Sequence, residues 1–145
     1  MKFLGISLRD IHLKREDMTG ELMIKNIKNN INIVDVKIRD LSPDSADKAI
    51  IFSFEYKTDY DLSKPKDASL GSIYFLGDVV FTDGKKEMDA VVKAWKKNKK
   101  IDEKIIIPVL QAALNHVNVE AIYLSRKVML PSPVKLPQIK QSQEE

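Results

Sequence analysis

The spacing of apolar residues changes once along this chain, near Thr82, and that change constrains the fold more than any other feature. Before it, apolar side chains recur at every second residue, the period of a half-buried strand; beyond it they recur at three and four, the period of a helix. Strands gathered ahead of helices point to the α+β class. The links between the second, third and fourth strands are too short for helical crossovers, so the sheet is expected to be antiparallel.

Four strands are expected. From Lys2 to Lys14, KFLGISLRDIHLK carries Leu4, Ile6 and Leu8, then Ile11 and Leu13, an alternation with one slip of phase that reads as a β-bulge. Met18, Leu22, Met23, Ile24 and Ile27 follow among Thr19, Gly20 and the Asn29-Asn30 pair, which reads as an irregular crossover with one helical turn. The second strand spans Ile31 to Arg39 and stops at Ser42-Pro43-Asp44, and the third, Ala49 to Thr58, sets Phe52, Phe54 and Tyr56 on one side. Ser69 to Thr82 is apolar on both faces, as a strand covered on both sides would be.

Met88, Val91, Val92 and Trp95 then mark a helix, with Asp83 placed to cap it and lysines crowding its end. A longer helix from Asp102 to Lys127 has one stripe through Ile106, Leu110, Ala113, Val117, Leu124 and Val128. A second runs through Ile105, Val109, Ala112, Val119 and Ile122. A single sheet covers only one of these, so a homo-oligomer is expected, with Val109, Ala112, Val119 and Ile122 at the interface. Pro131, Pro133 and Pro137 force an extended course after the helix. Residues 1–137 are read as one domain and 138–145 as a polar, disordered tail.

Composition removes whole classes of function. The 145 residues include no cysteine, which excludes disulfides, thiolate catalysis and cysteine metal sites. His12 and His116 lack the spacing of a shared metal site, and five scattered glycines build no phosphate-cradling loop, so no metal or cofactor is expected. Asp59 with Asp61, and Glu87 with Asp89, sit in polar, lysine-rich surroundings that suit solvated acids and not catalytic ones. Nothing points to an enzyme. No apolar run approaches the roughly 20 residues of a membrane span, and a charged start rules against a signal peptide, so a cytoplasmic protein is expected. The lysine-rich segment 85–104 offers a competing reading, a basic oligomer that binds nucleic acid, but Trp95 falls on the core stripe and the net charge is only +3.

Several strings resemble the SecB family of chaperones. FLGISLRDIHLKRED resembles the family's first strand, INIVDVKIRDLS and AIIFSFEYKT its second and third, and SIYFLGDVVFTDG its fourth. PVLQAALNHVNVEAIYLSRKVMLPSPVKLPQI is similar to its proline-led helix and proline-bearing link. The resemblance implies a four-stranded antiparallel sheet with helices on one face, assembled as a dimer of dimers, holding unfolded polypeptide or preprotein in apolar grooves without ATP. The basic balance and altered tail argue against delivery to a SecA-type motor, and leave non-export clients such as antitoxins open. The groove is expected between Met18, Leu22, Met23 and Ile27 of the crossover and Val134, Leu136 and Ile139 of the link, whose irregular or proline-fixed backbone commits their side chains less to the core.

Overall fold

The computed structural model describes residues 1–43 and 47–134. Its elements are strands β1 (Lys2–Arg15), β2 (Met23–Asp40), β3 (Lys48–Lys64) and β4 (Ser69–Thr82), then helices α1 (Lys85–Asn98) and α2 (Glu103–Lys127). The strands form one antiparallel sheet in the order β1-β4-β3-β2. Both helices pack on the same face. The sequence-based expectation of an α+β chain with an antiparallel sheet is met, and β4 matches its expected span.

Alternation explains the layer. On β3 the even residues Ile50, Phe52, Phe54, Tyr56, Tyr60 and Leu62 turn to the helices, and on β4 the odd residues Ile73, Phe75, Val79 and Phe81 join them. Burying each such large side chain contributes about 1.5–3 kcal/mol. Trp95, Met88 and Val91 cover part of this floor from α1. Valine and alanine at Val109, Ala113, Val117 and Ala121 bring α2 close over the rest along an i, i+4 ridge.

β1 has two register shifts where the sequence suggested one, at Phe3/Gly5 and Leu8/Asp10. Each inserts a residue and reverses the phase, so Phe3, Ile6, Leu8, Ile11 and Leu13 all pair with helix-facing positions of β4. Gly77, opposite Leu8, has no alternative. A Cβ there would lie 2.7 Å from the Phe54 ring and from the Ser7 carbonyl oxygen. On the other face of the sheet, Ser53 donates to Asp78 Oδ1 at 2.6 Å while Arg9 Nε stands 2.6 Å from Asp78 Oδ2, tying β1, β4 and β3 together.

Four expectations are corrected. The stretch read as an irregular crossover belongs largely to β2, which starts at Met23 and not at Ile31, because β3 runs on to Lys64 and offers it pairing partners throughout. Asn29 and Asn30, read as punctuation, sit inside that ladder opposite Thr58 and Lys57. Asp83 does not cap α1: Gly84 is the N-cap, and the Asp83 carboxylate instead accepts from the Gly84 amide at 2.8 Å and faces the Met1 amino group at 3.6 Å. Lastly, α2 is by length and composition capable of crossing a membrane, with a mean hydropathy of 1.4 over its most apolar window, although its sequence is interrupted by polar residues. Here it lies on the sheet. Only 22% of that window is buried.

Candidate functional site

The helix-facing side of β2 is only partly covered by the helices. Ile24, Ile27, Ile31 and Ile33 stand on it opposite Leu62, Tyr60, Tyr56 and Phe54. β2 is also a sheet edge, with β3 as its one strand partner among the described residues. At about 3.4 Å per residue the row from Ile24 to Ile33 is roughly 30 Å long. Two cavities open along it.

The first, of about 490 Å³, lies between Ile24, Asn26, Ile27 and Asn29 of β2 and Ser132, Pro133 and Val134 of the link that follows α2. A polar network fixes this wall. Thr58 donates to Asn29 Oδ1 at 2.8 Å, its hydroxyl lies 2.8 Å from that of Tyr56, and Asn29 Nδ2 in turn donates to the Pro133 carbonyl at 2.8 Å. Tyr60 donates to the Pro131 carbonyl at 2.6 Å. Burial pushes both phenols above their ordinary range, and Tyr56 adds to the rise at Tyr60, so each stays a hydrogen-bond donor at neutral pH. The link is therefore held at a set distance from β2 by polar contacts beneath it, leaving apolar side chains to line the opening.

The second cavity, of about 400 Å³, lies where α1 meets α2. Ile31 and Ile33 form its floor, Trp95 and Lys99 one wall, and Ile101, Ile106 and Leu110 the other. Trp95 is buried, as its place on the core stripe required, and the Lys99 ammonium stands 5.0 Å from the centre of its ring.

Of the expected groove residues, Ile27 and Val134 meet in the first cavity. Met18 and Leu22 are half-buried plugs against the core, and Met23 is 52% exposed at the start of β2 without lining either opening. Leu136 and Ile139, with the expected tail 138–145, lie outside the described residues. Sequence reasoning missed Ile24, Asn29 and Pro133, and the whole second cavity. The period-two run of Ile27, Asn29, Ile31 and Ile33 was the signal, masked by the asparagines.

The expected interface residues separate. Val109 is 0% exposed beneath α2 and cannot meet another chain, which corrects that assignment. Ala112 and Ile122 are half-buried at the flanks, and Val119 is 65% exposed. Ile107 and Tyr123, not anticipated, share its outward ridge, where Gln111 bonds Asn115 at 3.0 Å.

Among solved structures, a SecB-like chaperone of Mycobacterium tuberculosis, captured with a peptide from an antitoxin, aligns over 98% of this chain and 92% of its own with a TM-score of 0.51 at 10% identity. The fold is SecB-like. Neither a protein-family model nor a curated protein sequence matches the chain. The SecB-like arrangement thus rests on the path of the backbone, from the β1-β4-β3-β2 order to the two helices on one face.

Proposed function

We propose that this protein is a chaperone that holds extended segments of unfolded polypeptide in the trench along β2, without nucleotide and without catalysing a reaction. The observation that carries the reading is an apolar row on an edge strand, Ile24 to Ile33, left open between a tethered link and a helix junction. An extended chain laid there would bury side chains in the cavities at about 25 cal/mol per Å² and could pair its backbone with the free edge, both tolerant of sequence. The SecB-like neighbour, solved with a bound peptide, supports polypeptide as the ligand class.

We further propose a homo-oligomer, a dimer of dimers, in which a second copy covers α2. Supporting this are the outward Ile107, Val119 and Tyr123 on a helix of which so little is buried. The test is suppression of aggregation by a chemically denatured protein, run beside a native mass measurement. Protection at near-stoichiometric oligomer, persisting at 0.5 M salt (of the order at which surface charges are screened to a few Å), is expected. Loss of protection with salt, together with tight binding of single-stranded RNA, would replace the chaperone reading with the nucleic-acid one.

A further inference from the structure

The positive charge of this chain is not spread over it. Between Lys93 and Lys104 six lysines meet two acids, so this stretch carries +4, whereas the whole chain carries +3 and the remainder therefore −1. That stretch is the end of α1, the connection and the start of α2, which together wall the second cavity.

Five of the eight lysines on the strands are paired, whereas among the described residues none of the six in this stretch is. Lys14, Lys28, Lys48, Lys57 and Lys64 each have a carboxylate within 3.9 Å. Among the described residues no ion pair holds Lys93, Lys96, Lys97, Lys99, Lys100 or Lys104. A segment that only had to stay soluble would gain by alternating its charges; six unpaired ammoniums in one short stretch instead repel one another, and Lys99 among them lines the second cavity. Of the two acids in the stretch, Asp102 is engaged in capping α2, where it accepts from the Lys104 amide at 3.2 Å.

Lys99 gives an independent indication. It closes α1 in the left-handed conformation, φ 57°, a position where glycine relieves the strain that any Cβ introduces. A lysine held there lines the cavity and carries its charge over the indole of Trp95. An apolar slot with the unneutralised Lys99 at its lip, in a stretch carrying +4, fits a ligand that is apolar in the middle and anionic at its ends.

We propose that the α1–α2 junction selects acidic stretches of polypeptide: an apolar side chain seats against Ile31, Ile33, Trp95 and Leu110, and flanking aspartates or glutamates meet the lysine rim. This rests on the polypeptide-holding reading and names the chemistry of the segments preferred. Apolar burial sets the affinity, and the lysines set which segments are taken first.

Trp95 is the only tryptophan and forms one wall of the slot, so its emission reports occupancy. Nine-residue peptides with a central Leu-Phe-Leu core, flanked on both sides by Glu, Gln or Lys, would be titrated against the full-length protein at low salt. The acidic peptide is expected to bind about tenfold more tightly than the neutral one, and the basic peptide more weakly than either, the sum of a few exposed charge pairs. The exposed triple variant K97E/K99E/K100E should reverse that order and keep the wild-type circular dichroism spectrum. Equal affinities for the three peptides, with aggregation suppression intact, would overturn the charge selection and leave the holding function standing. Failure of every peptide together with failure to suppress aggregation would remove the function itself. Displacement of the acidic peptide by poly(U) at lower concentration than the peptide's own would assign the rim to nucleic acid.

Discussion

The phenol of Tyr60 donates a 2.6 Å hydrogen bond to the carbonyl oxygen of Pro131, so a residue at the centre of the sheet fixes where the chain goes after its last helix. Asn29 does the same two residues further on, through the Pro133 carbonyl. Between them they set the width of the first cavity. Tyr60→Phe is therefore expected to cost about 1 kcal/mol, read as a lower denaturation midpoint at unchanged slope, because a part-buried hydrogen bond is lost and the Pro131 carbonyl loses its donor. It should weaken client holding more than that modest loss of stability would explain.

The raised position of the Tyr60 and Tyr56 phenols carries a pH dependence of definite sign. Both are neutral in the folded state, and an unfolded tyrosine ionises near about pH 10. Below that value neither state releases a phenolic proton and stability is unaffected by these groups. As pH climbs past about 10 the unfolded chain releases protons that the folded one keeps, so stability falls. Urea unfolding midpoints followed from pH 8 to 11 should show this decline, and Tyr60→Phe should make it shallower.

Substitutions on opposite sides of α2 should fail differently. Val119→Asp, on the exposed ridge, is expected to split the oligomer in a light-scattering measurement while shifting the stability of the chain by less than about 1 kcal/mol. Val109→Asp, in the same helix but fully buried, should cost at least about 3 kcal/mol and unfold the protein, since a carboxylate would be left without a partner in the core. If Val119→Asp leaves the assembly whole, the copies meet elsewhere.

The groove has a similar control. Ile24→Ser removes an exposed apolar side chain from the first cavity and should weaken client holding severalfold with less than about 1 kcal/mol lost in stability. Leu22→Ser, in a side chain packed on the core, should instead cost about 1–3 kcal/mol with no loss specific to binding. The opposite pattern would move the client site back to the crossover.

Across the outer face, Arg9 and Asp78 form a part-buried pair that also takes the Ser53 hydroxyl. A double-mutant cycle of Arg9→Ala and Asp78→Ala should give a coupling of about 1 kcal/mol or more, above the usual value for exposed pairs because the Asp78 side chain is largely shielded.

The fold was legible because its main signal is periodic. Phe52, Phe54 and Tyr56 announce β3 by alternation, and the change of period after Thr82 announces the helices with no knowledge of their partners. What could not be read was set by contacts distant in sequence. Asn29 has turn propensity on its own and becomes a strand residue only because Thr58 and Pro133 satisfy its amide. The two apolar stripes of α2 were visible, yet the ridge the sheet takes cuts across both, from Val109 through Ala113 and Val117 to Ala121, because its small residues let that ridge approach closely. Two of the expected groove residues shared this difficulty, since Met18 and Leu22 look as free in sequence as Ile27 does. The lysines of 93–104 were visible too, but their lack of ion pairs belongs to the folded molecule alone.

β1 and β2 are consecutive in the chain and stand at opposite edges of the sheet, with Lys2 of β1 paired to Thr82 at the far end of β4. During synthesis, then, the first strand leaves the ribosome long before its neighbour exists. β2, β3 and β4 form a meander of adjacent hairpins that can close early, whereas β1 must wait with its apolar side chains unpartnered until the fourth strand has emerged. The order of the strands makes docking of the N-terminus the late step, and the protein is itself, for that interval, an unfolded segment in need of holding.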